Sequence, residues 1–158
     1  MIGIVLIILG IDPGSRNFGY AVCNEKSILE KGHLILKDND IGDRMIFIKN
    51  HLSKLVEKHK VTTMAYEKPF MRNGKYVMDI YYCSSVVPLV ASTYKLPLFE
   101  YSPVSIKKDV TGISKAEKIH VQKAVGRYFS FSEEFKDSHS ADACAVCITH
   151  LKKCQLKK

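Results

Sequence analysis

No stretch of this chain is apolar for long enough to cross a bilayer. Residues 1–9 are almost wholly apolar, but a spanning helix needs about 20 such residues, and neither a basic leader nor a small-residue cleavage site accompanies them. Export and membrane insertion are therefore not expected. Internal repeats, low-complexity tracts and long linkers are also missing, so the 158 residues are read as one compact domain, a size that buries roughly 70% of the unfolded surface. The cysteines do not form a disulfide framework. There are five, an odd number (Cys23, Cys83, Cys144, Cys147, Cys154), scattered through apolar stretches, which points to reduced thiols in a cytosol. Cys144-x-x-Cys147 has no second cysteine pair to complete a tetrahedral site and reads as small core residues on a helix. Acid is in short supply: 16 Asp and Glu against 24 Lys and Arg give a formal charge of +8.

Some of the few acids fall in informative places. Asp12 ends the apolar run 7–11 and precedes the turn Pro13-Gly14-Ser15, and Glu67 ends a second β-like run at 61–66. On two parallel neighbouring strands these carboxylates would share one sheet edge, with backbones roughly 5 Å apart. His139 and Asp142 stand three apart at the start of a helical stretch, which places them on one face. A lone strand-end carboxylate is usually a turn residue or a helix cap. Several crowded together repel and hold protons unless a cation neutralises them. Positive charge must then surround this acidic centre, as a surface able to hold phosphates.

The elements expected around these residues are strands at 7–12, 18–23, 28–36, 61–67 and 97–101. Helices are expected at 41–60, at 77–94 with Pro88 as a kink, from Ser102-Pro103, from a Ser114-x-x-Glu117 capping box to about Phe129, and through His139 and Asp142. They make an α/β protein with a central five-stranded mixed sheet flanked by helices.

The wording of the motifs carries a resemblance. Gly10-Ile11-Asp12-Pro13-Gly14-Ser15-Arg16 with Gly19-Tyr20, then Tyr66-Glu67-x-x-Phe70, resembles the first two acidic motifs of RuvC-type Holliday-junction resolvases, nucleases of the ribonuclease H-like superfamily. Phe99-Glu100-Tyr101 through Lys107, Thr111-Gly112-Ile113, Ala116-Glu117-Lys118 and Val121-Gln122 is similar to the basic central segment. His139-x-x-Asp142-Ala143, with Ala145-Val146 and Ile148-Thr149-His150, resembles the closing acidic helix. The match runs from about Ile7 to His150, leaving residues 1–6 outside it.

The resemblance implies a ribonuclease H-like fold and paired symmetric nicking of four-way DNA junctions, leaving 5′-phosphate and 3′-hydroxyl ends. It further implies two Mg2+ held by Asp12, Glu67, His139 and Asp142, with Mn2+ as a substitute, and catalytic lysines at Lys107 and Lys118. DNA contacts are expected from those two lysines and from Arg72, Lys75, Lys108 and Lys115. Phe70 is expected to stack on an unpaired base, with a core phenylalanine as the alternative. His139 departs from the aspartate common at its position. Asp137 lies five residues from Asp142, about 140° round a helix, whereas three residues is about 60°, so His139 is preferred as the fourth ligand. A ligating imidazole must be neutral, which predicts loss of activity below about pH 6.5. The resemblance also implies a homodimer, for which the apolar helix bearing Tyr81, Tyr82, Val86, Val87 and Leu89 is the candidate interface, with burial of that helix inside one subunit as the alternative. A branch-migration motor as partner stays open, as does the choice between a bacterial cytoplasm and the compartment of a replicating virus. A broader branched-DNA endonuclease and a catalytically inactive junction-binding protein are the competing functions.

Overall fold

The structure, a computed structural model, describes residues 5–70 and 77–156. Strands β1 (Ile8–Asp12), β2 (Asn17–Cys23), β3 (Ile28–Ile35), β4 (Thr63–Glu67) and β5 (Leu98–Tyr101) form one sheet in the order β3-β2-β1-β4-β5. The β1–β2 and β2–β3 pairs are antiparallel, whereas β1–β4 and β4–β5 are parallel. Helices α1 (Ile41–His59), α2 (Val77–Thr93), α3 (Pro103–Thr111), α4 (Lys118–Tyr128) and α5 (Ser138–Gln155) complete the order. Among the described residues no helix is long and apolar enough to cross a membrane.

Side-chain alternation along the strands divides the core into two layers. Leu9 and Ile11 of β1, Phe18 and Val22 of β2 and Met64 of β4 pack with α1 and α2. Their neighbours Ile8, Ala21, Cys23 and Ala65 pack with α3, α4 and α5. The second face is paved with small residues, and α5 meets it with small residues of its own: Ala141, Ala143, Cys144, Ala145 and Cys147 are at most 1% exposed. Close approach is built into the backbone here. A Cβ on Gly10 would stand 2.5 Å from both the Ala143 carbonyl oxygen and Cys147 Sγ. All five cysteines are free thiols, and Cys144 and Cys147 are core residues as expected.

Local chemistry explains where the helices start and stop. Asp40 caps α1 by accepting from the Asp43 amide, and Lys60 closes it in the left-handed conformation. Ser102 caps α3, Pro103 occupies its first turn, and Gly112 ends it at φ 80°. Arg44 of α1 is almost fully buried. Its Nη1 donates to the Ser15 carbonyl at 2.7 Å and its Nη2 to Asp79 Oδ2 at 2.9 Å, tying the turn after Asp12 to the start of α2.

Two expectations need correction. No capping box at Ser114 opens α4. The helix begins at Lys118 with Glu117 as its cap, without a side-chain capping bond, because residues 113–116 form a separate turn that buries Ala116. Finally, Val86 and Val87 are interior residues of this chain, at 1% and 0% exposure, and cannot belong to an interface.

Candidate active site

The parity of the strands aims the two strand-end carboxylates. In the β1–β4 register Ile11 lies opposite Tyr66, so Asp12 and Glu67 follow as neighbours one residue on. Both fall on the small-residue face covered by α5. That helix starts at Ser138, which brings His139 and Asp142 of its first turns over the same sheet edge. Asp12, Glu67, His139, Asp142, Lys107 and Lys118 line a single cavity of about 290 Å3, walled by Ile106 and Val121. Two larger surface grooves lie along α4 and contain none of these six.

The electrostatics are those of crowded carboxylates. Burial, with the charges of Asp12 and Asp142, pushes the Glu67 carboxyl up to about 8, while Lys107 and Lys118 pull it back. Burial and Asp12 raise Asp142 to about 6. His139 Nδ1 lies 3.1 Å from Asp12 Oδ2, and that hydrogen bond raises the imidazole above its ordinary value. Among the described residues no three acidic, histidine or cysteine side chains converge on one point at ligating distance. An oxygen-rich set of three carboxylates and one imidazole nevertheless suits a divalent cation, which would favour the ionised forms of Glu67 and Asp142.

Lysines frame the cavity from two elements. Lys107 enters from α3. Lys118, the first residue of α4, has its Nζ 3.3 Å from the Ser138 hydroxyl. Lys108 and Lys115 are exposed and stand outside the cavity, and Arg72 and Lys75 lie outside the described residues. Phe70 is 73% exposed, which removes the core alternative. Asp137, the alternative fourth ligand, is the N-cap of α5 and accepts from the Ser140 amide at 2.7 Å.

Sequence reasoning passed over two contributors. Gly19 faces the first turn of α5, where a Cβ would collide with the His139 carbonyl oxygen. His33 of β3 approaches Asp137 and stands with its ring centroid 6.0 Å from that of His139. Gly19 belongs to the first motif and could have been weighed as a close-approach glycine; His33 has no local signal.

The family model for crossover junction endodeoxyribonuclease RuvC matches residues 8–150. The chain belongs to the RuvC family. Crossover junction endodeoxyribonucleases RuvC are similar to it at 32% identity in Fusobacterium nucleatum, over 91% of this chain and 79% of the relative, and at 34% in Treponema denticola, over 91% and 84%. The solved structure of Thermus thermophilus RuvC in complex with a Holliday junction substrate has a TM-score of 0.89 at 22% identity, covering 96% of each chain. The yeast mitochondrial Holliday junction resolvase gives a TM-score of 0.68 at 16% identity, covering 97% of this chain and 82% of that one. The fold is thus the ribonuclease H-like fold of RuvC. The activity of the family is Holliday-junction resolution, a divalent-cation-dependent nuclease reaction as the sequence resemblance implied.

Proposed function

We propose that this chain, acting as a single nuclease domain, resolves four-way DNA junctions through Asp12, Glu67, His139 and Asp142, with Lys107 and Lys118 beside the scissile phosphate. The observation that carries this reading is the one cavity into which six residues from five elements converge. Burial and crowding favour the protonated form of Glu67 and, less strongly, of Asp142, and two Mg2+ ions, or Mn2+ in their place, are the proposed occupants of the ligand set. Bound there, the cations would supply charge neutralisation, a more acidic water and stabilisation of the leaving 3′ oxygen. Asp12, at the end of a buried strand, fixes the centre against the sheet, while His139 and Asp142 close over it from α5. The ammonium groups of Lys107 and Lys118 offset the negative charge that a phosphate brings to an acidic cavity. Attack of water on phosphorus then breaks the bond to the 3′ oxygen, leaving a 5′-phosphate and a 3′-hydroxyl.

Substrate geometry draws on the surface around the cavity. Phe70 follows Glu67 by three residues and exposes its ring to solvent, which supports stacking on an unpaired base; such stacking contributes about 1–3 kcal/mol. Lys108 and Lys115, exposed near the lysines of the cavity, supply phosphate contacts, and Arg72 and Lys75 extend them. A junction has two strands of like polarity, so two copies related by a two-fold axis present two sites. Met78, Tyr82, Ser85 and Leu89 make an exposed stripe along α2, three of them large and apolar at 58%, 46% and 52% exposure, which supports that helix as the dimer face without Val86 and Val87. A branch-migration motor is not required by this reading. Nicking of labelled four-way, three-way, flap and duplex DNA tests it: paired symmetric nicks restricted to the four-way junction are expected. Equal cleavage of every branch would replace it with a general debranching activity.

A further inference from the structure

One polar pair, His33 and Asp137, stands beside His139 at the edge of the sheet, with the His33 and His139 ring centroids 6.0 Å apart. His33 lies on β3 opposite Gly19 of β2, and directly opposed residues of an antiparallel pair point to the same face. That face is the one α5 covers, and the missing side chain of Gly19 is what lets the His139 backbone settle there. His33 therefore reaches the first turn of α5, where its Nδ1 lies 3.3 Å from Asp137 Oδ2. Asp137 is engaged on both oxygens. Oδ1 accepts from the Ser140 amide at 2.7 Å, and Oδ2 accepts from the Ser140 hydroxyl at 2.9 Å as well as facing His33. Its side chain is only 17% exposed. A carboxylate so occupied serves the helix end that carries His139 and is not free to act as a ligand.

We infer that His33 and Asp137 are positioning residues, a clamp between the edge strand β3 and the N-cap of α5 that holds His139 in place for a divalent cation shared with Asp12. This rests on the ligand set proposed above. Capping alone organises the first turn of a helix but does not stop that turn from sliding over the sheet; a tether to β3 does. Groups that orient metal ligands from behind cost about 10–100-fold in metal affinity when removed.

The test is Mn2+ binding to the full chain by titration calorimetry, with thermal melting alongside. His33→Leu removes the donor and is expected to weaken Mn2+ binding about tenfold. His33→Asn keeps an N–H donor near the position of Nδ1 and is expected to retain most of the affinity. Asp137→Ser keeps a good helix cap but loses the carboxylate that meets His33, so it stays folded and shows the same weakening as His33→Leu. Native affinity in either His33→Leu or Asp137→Ser, or an Asn variant as weak as the Leu variant, would overturn the clamp. Those results leave the ligand set standing, whereas failure of the unmodified protein to bind Mn2+ would remove the ligand set and the clamp together.

Discussion

Glu67 sits where its own charge is unwelcome. Burial and two neighbouring carboxylates raise its pKa from 4.5 to about 8, and Asp142 rises from 3.8 to about 6. An acid whose folded pKa is raised binds more protons folded than unfolded, so stability falls as pH rises from the unfolded to the folded value. His139 acts in the same direction: its raised pKa stabilises below about 6.5 and that contribution is lost as pH climbs through the folded value. The cation-free protein should therefore melt at lower temperature as pH goes from about 4.5 to 8, and Mg2+ should raise the melting temperature more at pH 8 than at pH 6. A flat profile would contradict the crowding. Glu67→Gln should flatten the profile and stabilise the cation-free protein at pH 8 by on the order of 1 kcal/mol, while reducing nicking by more than about a hundredfold, beyond the loss that outer-shell changes cause. Phe70→Ala, at an exposed position, should change stability by no more than about 0.5 kcal/mol yet impair junction resolution; a large loss of stability would mean that the ring is packed in solution. At this scale strand ends and helical spacing suggested that Asp12, Glu67 and Asp142 could meet, but it was the wording of the motifs around them that singled them out. The choice of His139 over Asp137 followed from helical angles and agrees with the capping role of Asp137. His33 was illegible, since its proximity comes from the β2–β3 register and has no trace in local sequence.

Helix α5 brings the site together by packing against the backbone of Gly10 and Gly19, where a side chain would not fit. Gly10→Ala puts a methyl group against the Ala143 carbonyl and Cys147 Sγ, and Gly19→Ala puts one into the His139 carbonyl. Overpacking of this kind costs roughly 1–3 kcal/mol, so both variants should unfold at lower urea. Gly19→Ala should lose more activity relative to its stability loss, because its clash falls beside His139. Equal and native-like behaviour of the two would show that α5 can shift without consequence. Strands were legible as β-like runs bounded by turns, α1 from the helical period of its apolar residues, and α3 from its cap. The start of α4 was not: Ser114 and Glu117 have capping-box spacing, but burial of Ala116 in the second core layer turns the backbone there and delays the helix to Lys118. In the same way an apolar helix such as α2 does not reveal which of its apolar residues face inward until α1 is packed against it, which is why interface and burial stood as alternatives for Val86 and Val87.

For the whole molecule, an acidic centre within a chain of charge +8 separates the tasks of cutting and holding. Junction binding should therefore weaken steeply with added salt, even in a variant that cannot nick. If the exposed stripe of α2 joins two copies, Tyr82→Glu combined with Leu89→Lys should sediment as a monomer and nick one strand at a time, whereas an unchanged sedimentation profile would place the interface elsewhere. The order of the motifs along the chain made the fold and the activity legible from sequence; assembly was not, because it depends on which apolar residues the fold leaves outside. The most direct measurement is cleavage of a labelled mobile four-way junction in Mg2+ by the unmodified protein and by Asp12→Asn. Paired symmetric nicks from the first, with junction binding but no nicks from the second, are the predicted result. Tight binding without cleavage by the unmodified protein, in Mg2+ and in Mn2+ alike, would contradict the account and make this chain a junction-binding protein instead.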